Sequence, residues 1–200
     1  MATQAEQISQ LATAALAAHG LVLVQARLSG GTASGRGKMT LDVMAEMPDG
    51  TSPTVELCTS ASRTLSAQMD VADIIKTPYI LEVGSSGLER PLVTNADYTR
   101  FNGKQAKLTF TRPVPNPSGK GVLGSAVGVI TKPTDHGISL IMAEGGYTLA
   151  VNYSQIHHAT LTPSAEELAE LMKQANIRQK AQSAAGDTGE NSEINQEESR

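Results

Sequence analysis

The residues that could carry out chemistry are few, and their spacing favours no catalytic or metal site. The chain has one cysteine, Cys58, and four histidines: His19, His136, His157 and His158. The two adjacent histidines would point to opposite faces of a strand, which is unsuitable for holding one ion. No Gly-x-Ser-x-Gly elbow, P-loop, dinucleotide fingerprint or His-Glu-x-x-His pattern occurs. We therefore expect no catalytic residue, no cofactor and no metal, and we expect Cys58 to be a core residue.

The stretch YILEVGSSGLERPL, residues 79–92, offers a different kind of site. It begins as a strand and then contains Gly84-Ser85-Ser86-Gly87, which has the form of the G-x-x-G loop that some RNA-binding domains close on a nucleic-acid backbone. Four residues match such a pattern too often by chance to be specific. A structural turn explains them as well, because glycine allows positive φ and Pro91 fixes the next segment. Both interpretations, turn and recognition surface, remain open at this point.

The elements that precede this stretch predict a two-layer α+β unit over residues 1–94, with its helices on one face of a small sheet. Thr3 and Glu6 have capping-box spacing, and Gly20 ends the first helix. A second helix is expected to start at Ser52-Pro53 and to bury Val55, Cys58, Ala61, Leu65 and Met69. The predicted strands are residues 21–28, 39–47 and 79–83, and residues 29–37 (SGGTASGRG) are predicted to be a flexible loop.

Residues 95–162 show a different pattern, which predicts a small β-barrel. After a short connecting helix at 95–101 come four closely spaced strand-like segments: KQAKLTF, GVLGSAVGVI, GISLIMA and YTLAVNY. Residues 163–200 are predicted to be a tail, with a short helix followed by a disordered segment after about residue 181.

Charge is distributed unevenly, although the net charge is only −4. Residues 1–94 carry six Lys and Arg against nine Asp and Glu, residues 95–162 carry six against three, and residues 163–200 carry four against eight. The excess positive charge in the middle region suits contact with nucleic-acid phosphates or, equally, a solvated strand edge protected by lysine. Aromatic residues are only 3% of the chain and Trp is absent, so stacking of bases along a row of aromatic side chains is not expected.

Residues 81–92 resemble the most recognisable run of the RimP family, the ribosome maturation factors of the bacterial small (30S) subunit. That run is Leu-Glu-Val-Ser-Ser-Pro-Gly-Leu-Asp-Arg-Pro-Leu, and nine of its twelve positions agree here, with Gly84, Ser86 and Glu89 as the departures. The resemblance extends over about residues 4–160. It includes a segment of the form Tyr-x-x-Phe-x-Gly, present as Tyr98, Phe101 and Gly103.

The resemblance implies an N-terminal α/β domain (1–94) followed by an SH3-like (Sm-like) β-barrel (95–162), in a protein without enzymatic activity. It also implies binding to the free 30S subunit, assistance in its late assembly and in 16S rRNA processing, and contact with small-subunit ribosomal protein number twelve, mainly through the barrel. The alternative is a stand-alone RNA-binding module that uses the basic barrel. A third, weaker alternative is an enzyme with an unrecognised site.

The candidate partner-binding residues come from residues 81–92, which we call the signature run, and from the basic region of residues 95–162. One cysteine and no export-like or membrane-spanning N-terminal segment lead us to expect a cytoplasmic protein without a membrane partner. We also expect a monomer. We expect Arg90→Ala to spare folding and to weaken association with the subunit. The candidate residues are Ser85, Gly87, Leu88, Arg90, Pro91, Lys104, Lys107 and Arg112.

Overall fold

A computed structural model describes residues 2–30, 38–163, 168–169 and 173. The chain divides after Thr162, and all of the elements below belong to the unit that precedes this point. The loop predicted over residues 29–37 lies largely outside the described residues, as does most of the predicted tail. Ser29 and Gly30, which we expected in that loop, form the end of a strand.

The first half of the chain contains two helices and a three-stranded mixed sheet. The sheet order is β1-β2-β3, with β1 and β2 antiparallel and β2 and β3 parallel. The second helix provides the crossover that a parallel pair requires. The predicted order of helix, strand, strand, helix and strand is confirmed, with these bounds: α1 Gln4–Ala17, β1 Val22–Gly30, β2 Met39–Glu46, α2 Val55–Ala72 and β3 Tyr79–Ser85.

Local sequence signals account for most of the helix ends, with one correction. At the start of α1, Thr3 Oγ1 accepts from the Glu6 N–H at 3.3 Å and Glu6 Oε2 accepts from the Thr3 N–H at 2.7 Å, which completes the predicted capping box. The predicted start of α2 at Ser52-Pro53 is wrong. Thr54 is the N-cap, because its hydroxyl accepts from the Leu57 N–H at 3.3 Å. Val55 consequently lies outside the buried face and is 77% exposed.

Aliphatic side chains from both helices and from the sheet form the core of this half, as the sequence periodicity predicts. Alternate residues of β2 and residues three or four apart on the helices point into the core. The largest fully buried members are Leu16, Leu41, Val43 and Leu65.

The second half contains a short helix and a five-stranded antiparallel sheet. Its order is β7-β6-β5-β4-β8, so the pairings among the described strands leave β7 and β8 at the edges and do not close into a barrel. The overall content is α+β, as expected, but the expected SH3-like barrel is not confirmed by these pairings. The bounds are α3 Asn95–Arg100, β4 Gln105–Pro115, β5 Val122–Thr131, β6 Gly137–Met142, β7 Thr148–Asn152 and β8 Ile156–Leu161, with a 3-10 helix at Tyr153–Gln155 before β8.

Two features of this sheet were missed. Strand β8 escaped detection because Ile156-His157-His158-Ala159 does not alternate, and its pairing with β4 is irregular between Thr109 and Phe110. Strand β4 also continues to Pro115, through residues that the prolines led us to assign to a loop. A separate aliphatic core, which includes Leu108, Ile130 and Leu140, packs on one face of this sheet.

Candidate partner-binding site

The signature run leaves strand β3 just before Gly87. Gly84 and Ser85 are still in β3, paired with Met44 and Ala45 of β2. The chain then turns, and Gly87 has φ +62°, a conformation that side chains with a Cβ adopt at a cost. Ser85, Gly87 and Leu88 are exposed, with Leu88 49% exposed.

Beyond the turn, the chain enters the interior and pairs with β8 of the second sheet. The Leu161 N–H donates to the Arg90 carbonyl at 2.9 Å, and the Leu92 N–H donates to the Ala159 carbonyl at 2.9 Å. Pro91 lies between them in a bridge with Thr160. The signature run therefore starts in one sheet and ends hydrogen-bonded to the other.

The Arg90 side chain is almost completely enclosed, with 8% of the residue exposed. Its Nε donates to Glu46 Oε2 at 2.8 Å and its Nη2 donates to Glu46 Oε1 at 3.3 Å, so the two groups form a bidentate pair. Nη2 also lies 2.9 Å from Asp97 Oδ1, and Nη1 donates to the Pro91 carbonyl at 2.9 Å. The guanidinium carbon is 4.8 Å from the centre of the Phe101 ring.

A second arginine completes the cluster. Arg100 Nη1 donates to Glu46 Oε1 at 2.6 Å, and its guanidinium carbon is 4.9 Å from the Phe101 ring centre. Unlike Arg90, its side chain is 42% exposed. We call Glu46, Arg90, Asp97, Arg100 and Phe101 the Arg90 network. Its two cations and two carboxylates balance, which is what makes the burial of these charges tolerable.

Asp97 also caps the N-terminus of α3. Its Oδ2 accepts from the Val93 N–H at 3.0 Å, the Thr94 N–H at 2.8 Å and the Thr94 hydroxyl at 2.9 Å. Thr94 Oγ1 in turn accepts from the Asp97 N–H at 3.3 Å, which forms a capping box. The start of α3 is therefore held to the same charge cluster as the end of β2.

Electrostatics within the network favour the ionised state of Glu46, Asp97 and Arg90. Burial acts to raise the pKa of Glu46, but hydrogen bonds from Arg90 and then Arg100 outweigh it, and the pKa lies below its usual value. Burial likewise opposes ionisation of Asp97, yet hydrogen bonds from Thr94 and the charge of Arg90 lower its pKa. For Arg90, burial acts to lower the pKa and the bond to Glu46 more than offsets it, so the pKa is raised.

Comparison with protein families shows where this network sits in the chain. Residues 11–89 match the family model of the RimP N-terminal domain. The match supports the RimP family for this chain. It confirms the resemblance seen in the sequence over residues 11–89, and it supports a general role in ribosome maturation.

The matched region ends one residue before Arg90. Of the charged members of the network, Glu46 lies inside the matched domain, whereas Arg90, Asp97 and Arg100 lie beyond it. The Arg90 network thus joins the RimP N-terminal domain to the residues that lead into the second sheet.

Among the candidate residues, burial assigns a positioning role to Arg90 and Pro91. Both are buried, so neither side chain offers much surface to a partner. The expectation that Arg90→Ala spares folding is revised for the same reason, because the change would leave Glu46 and Asp97 buried without their shared cation.

The basic candidates lie in a different part of the molecule. Lys104 precedes β4, and Lys107 and Arg112 are on it, all three exposed. Lys107 faces away from the core, since Ala106 and Leu108 on either side of it are buried. The candidates therefore form an exposed turn after β3 and a basic stretch along β4.

The histidines and the cysteine show no reactive arrangement. His19 Nε2 is 2.8 Å from Thr64 Oγ1, and His157 and His158 are exposed on β8. Cys58 is buried as predicted, and burial raises the pKa of its thiol, which disfavours the nucleophilic thiolate. The described residues contain no group of three or more His, Cys, Asp or Glu that could hold a metal ion. None of the described helices has the length and apolar character needed to cross a membrane.

We predict that Arg90→Ala lowers the free energy of unfolding by about 3 to 5 kcal/mol, because it removes the cation from a buried pair. Urea denaturation of the full chain measures the effect. Arg100→Ala is the matched control, and its cost should be smaller because the Arg100 side chain is 42% exposed. An Arg90→Ala protein as stable as the wild type would contradict the role given to the network.

The lowered pKa values of Glu46 and Asp97 predict destabilisation by acid. In the unfolded chain the pKa values of these groups are about 4.3 for Glu and about 3.9 for Asp. Their stabilising contribution is therefore present above those values and is lost as pH falls through the lower folded-state values. Urea midpoints measured at a series of acidic pH values should fall less steeply for Glu46→Gln than for the wild type. Equal slopes would locate the acid sensitivity elsewhere.

Gly87→Val should lower the free energy of unfolding by about 1 to 3 kcal/mol, because valine is strained at φ +62°. Gly84→Val is the control. Gly84 is in a strand without positive φ, and nothing lies within 4 Å of the position of its added Cβ. Thermal melts should give a clearly lower melting temperature for Gly87→Val than for Gly84→Val. Equal melting temperatures would show that the turn tolerates a side chain.

Proposed function

We propose that this chain binds the free 30S subunit and assists its late assembly and 16S rRNA maturation without catalysing a reaction. The observation that carries the proposal is the match of residues 11–89 to the RimP N-terminal domain. The geometry around Arg90 supports it, since the buried arginine of the family's most recognisable run forms a structural junction with Glu46 and Asp97. A junction of this kind supports a binding protein better than a reactive site.

A binding factor can assist assembly only through differential affinity. It must prefer an intermediate arrangement of the particle over the alternatives and lose affinity as the mature surface forms. A preordered binding surface helps, because less conformational entropy is lost on association. The Arg90 network and the pairing of residues 90–92 with β8 would provide this order by fixing one sheet against the other.

We propose that the partners on the subunit are small-subunit ribosomal protein number twelve and 16S rRNA. Ribosomal proteins are basic, and the acidic excess of residues 1–94 favours encounter with them. The exposed cations of β4 suit phosphate groups. In this proposal the contact residues are Ser85, Gly87, Leu88, Lys104, Lys107 and Arg112, and Arg90 and Pro91 hold the turn in place.

Further proposals concern architecture and state. We infer an N-terminal domain over residues 1–94 and an SH3-like barrel over residues 95–162. Five antiparallel strands with a single 3-10 turn before the last strand support the barrel. We also propose a monomeric protein that acts in the cytoplasm, where free small subunits mature.

We predict that Lys107→Glu weakens association with purified free 30S subunits and reduces the salt dependence of that association by about one phosphate contact. Co-sedimentation at increasing salt concentrations measures both effects. Lys38→Glu is the matched control, since Lys38 is an exposed cation of the first sheet region. The wild-type protein should migrate with free small subunits and not with complete ribosomes.

A binding assay with protein-free 16S rRNA distinguishes the assembly factor from the alternative, a stand-alone RNA-binding module. A stand-alone RNA-binding module would bind this RNA as tightly as the particle, with the same salt slope and the same sensitivity to Lys107→Glu. The assembly factor proposed here should bind the particle more tightly than the RNA. Absence of any association with free subunits would overturn the proposal.

A further inference from the structure

Strand β3 presents an edge that no described strand covers. The order β1-β2-β3 places it at the border of the first sheet, and among the described strands it pairs only with β2. One row of its backbone N–H and C=O groups therefore faces outward, as in any edge strand. Such an edge is a template for an added strand.

A groove runs along this edge on the side that faces α2. It has a volume of about 440 Å³, and Leu81, Val83 and Ser85 line it from β3. From α2, the lining includes Val55, Cys58 and Thr59. Leu81 and Val83 are partly buried against the core, so the floor of the groove is apolar. Ser62 and Arg63 of α2 also line the groove, so side chains of an added strand that point toward α2 would contact aliphatic side chains at the floor and polar ones on the α2 side.

The opposite face of the same edge carries negative charge. The strand register places Arg27, Asp42 and Glu82 side by side across the three strands. Glu82 is exposed and has Asp42 as its cross-strand neighbour, an arrangement in which like charges repel. Its other side is the outward edge. A cation placed there by an added strand would give Glu82 a neighbour of opposite charge.

We propose that the outer edge of β3 binds an extended segment of a partner protein in which a Lys or Arg stands between aliphatic residues. Side chains of a strand alternate between its two faces. The cation would lie beside Glu82 while the residues before and after it enter the groove between β3 and α2. This edge shares only Ser85, at its end, with the proposed contacts to the subunit, so the proposal goes beyond the proposed function.

A second copy of this chain fits the same edge poorly. Glu82 is the central residue of Tyr79–Ser85. A two-fold pairing of β3 with β3 centred on the strand would therefore bring the two Glu82 carboxylates together, which is unfavourable. A basic partner removes this repulsion, and the charge at the edge thus selects the kind of segment that can be added.

A labelled synthetic peptide, acetyl-Thr-Val-Thr-Val-Lys-Val-Thr-Val-Thr-amide, tests the proposal against the full chain. Fluorescence anisotropy should show binding, and hydrogen exchange should show new protection of amides in residues 79–85. The same peptide with Glu in place of Lys should bind roughly five-fold more weakly, the size expected for one cross-strand ion pair. Glu82→Lys should reverse the preference, whereas the control Glu89→Lys, an exposed position beyond the end of β3, should keep it.

A groove-filling variant tests the second half of the proposal. Thr59 is exposed, so Thr59→Trp should leave the melting temperature close to that of the wild type while it removes peptide binding. No binding, or protection of the second sheet in place of residues 79–85, would overturn the proposal. Self-association that protects residues 79–85 would overturn the choice of partner. Because the probe is a peptide, these outcomes are independent of the assay with 30S subunits.

Discussion

The arrangement of residues 1–162 depends on one buried cation. Arg90 occupies the point where β2, the segment after β3, and α3 meet, and each of these elements supplies an acceptor to its guanidinium: Glu46, the Pro91 carbonyl and Asp97. Transfer of an unpaired charge into such an environment would cost more than a domain of this size can tolerate. Burial of Arg90 is therefore possible only when all three elements are in place, so the network couples their positions.

This coupling gives the signature run a physical meaning. Its first residues complete a sheet, Gly87 adopts a positive φ just before the chain bends, and its last residues pair with β8 and place Arg90 against Glu46. The small residues are needed for backbone shape, and the charged residue is needed for cohesion. The exposed turn between these two parts is therefore held at both of its ends, which favours a fixed shape over a mobile loop when a partner binds.

The parts of the fold that depend on neighbouring residues were predictable, and the parts that depend on distant ones were not. The capping box of α1 and the alternation of β2 each depend on residues that are close together in the sequence. Glu46 and Arg90 are 44 positions apart, and no local period connects them. Sequence reasoning singled out Arg90 and missed Glu46 and Asp97 as its partners, and it missed Arg100 as the second cation on Glu46. The Thr94-x-x-Asp97 spacing was a usable signal for the helix cap, although it says nothing of the ion pair.

An arginine meets demands at this position that other side chains do not. Its planar fork reaches both oxygens of Glu46, its remaining donors reach Asp97 and a carbonyl, and its face lies against Phe101. Lysine has neither the fork nor the flat face. A hydrophobic replacement of the whole cluster could hold the elements together as firmly, but apolar contact is non-directional. Directional bonds also restrict how the elements that they join can be oriented, which apolar contact alone does not.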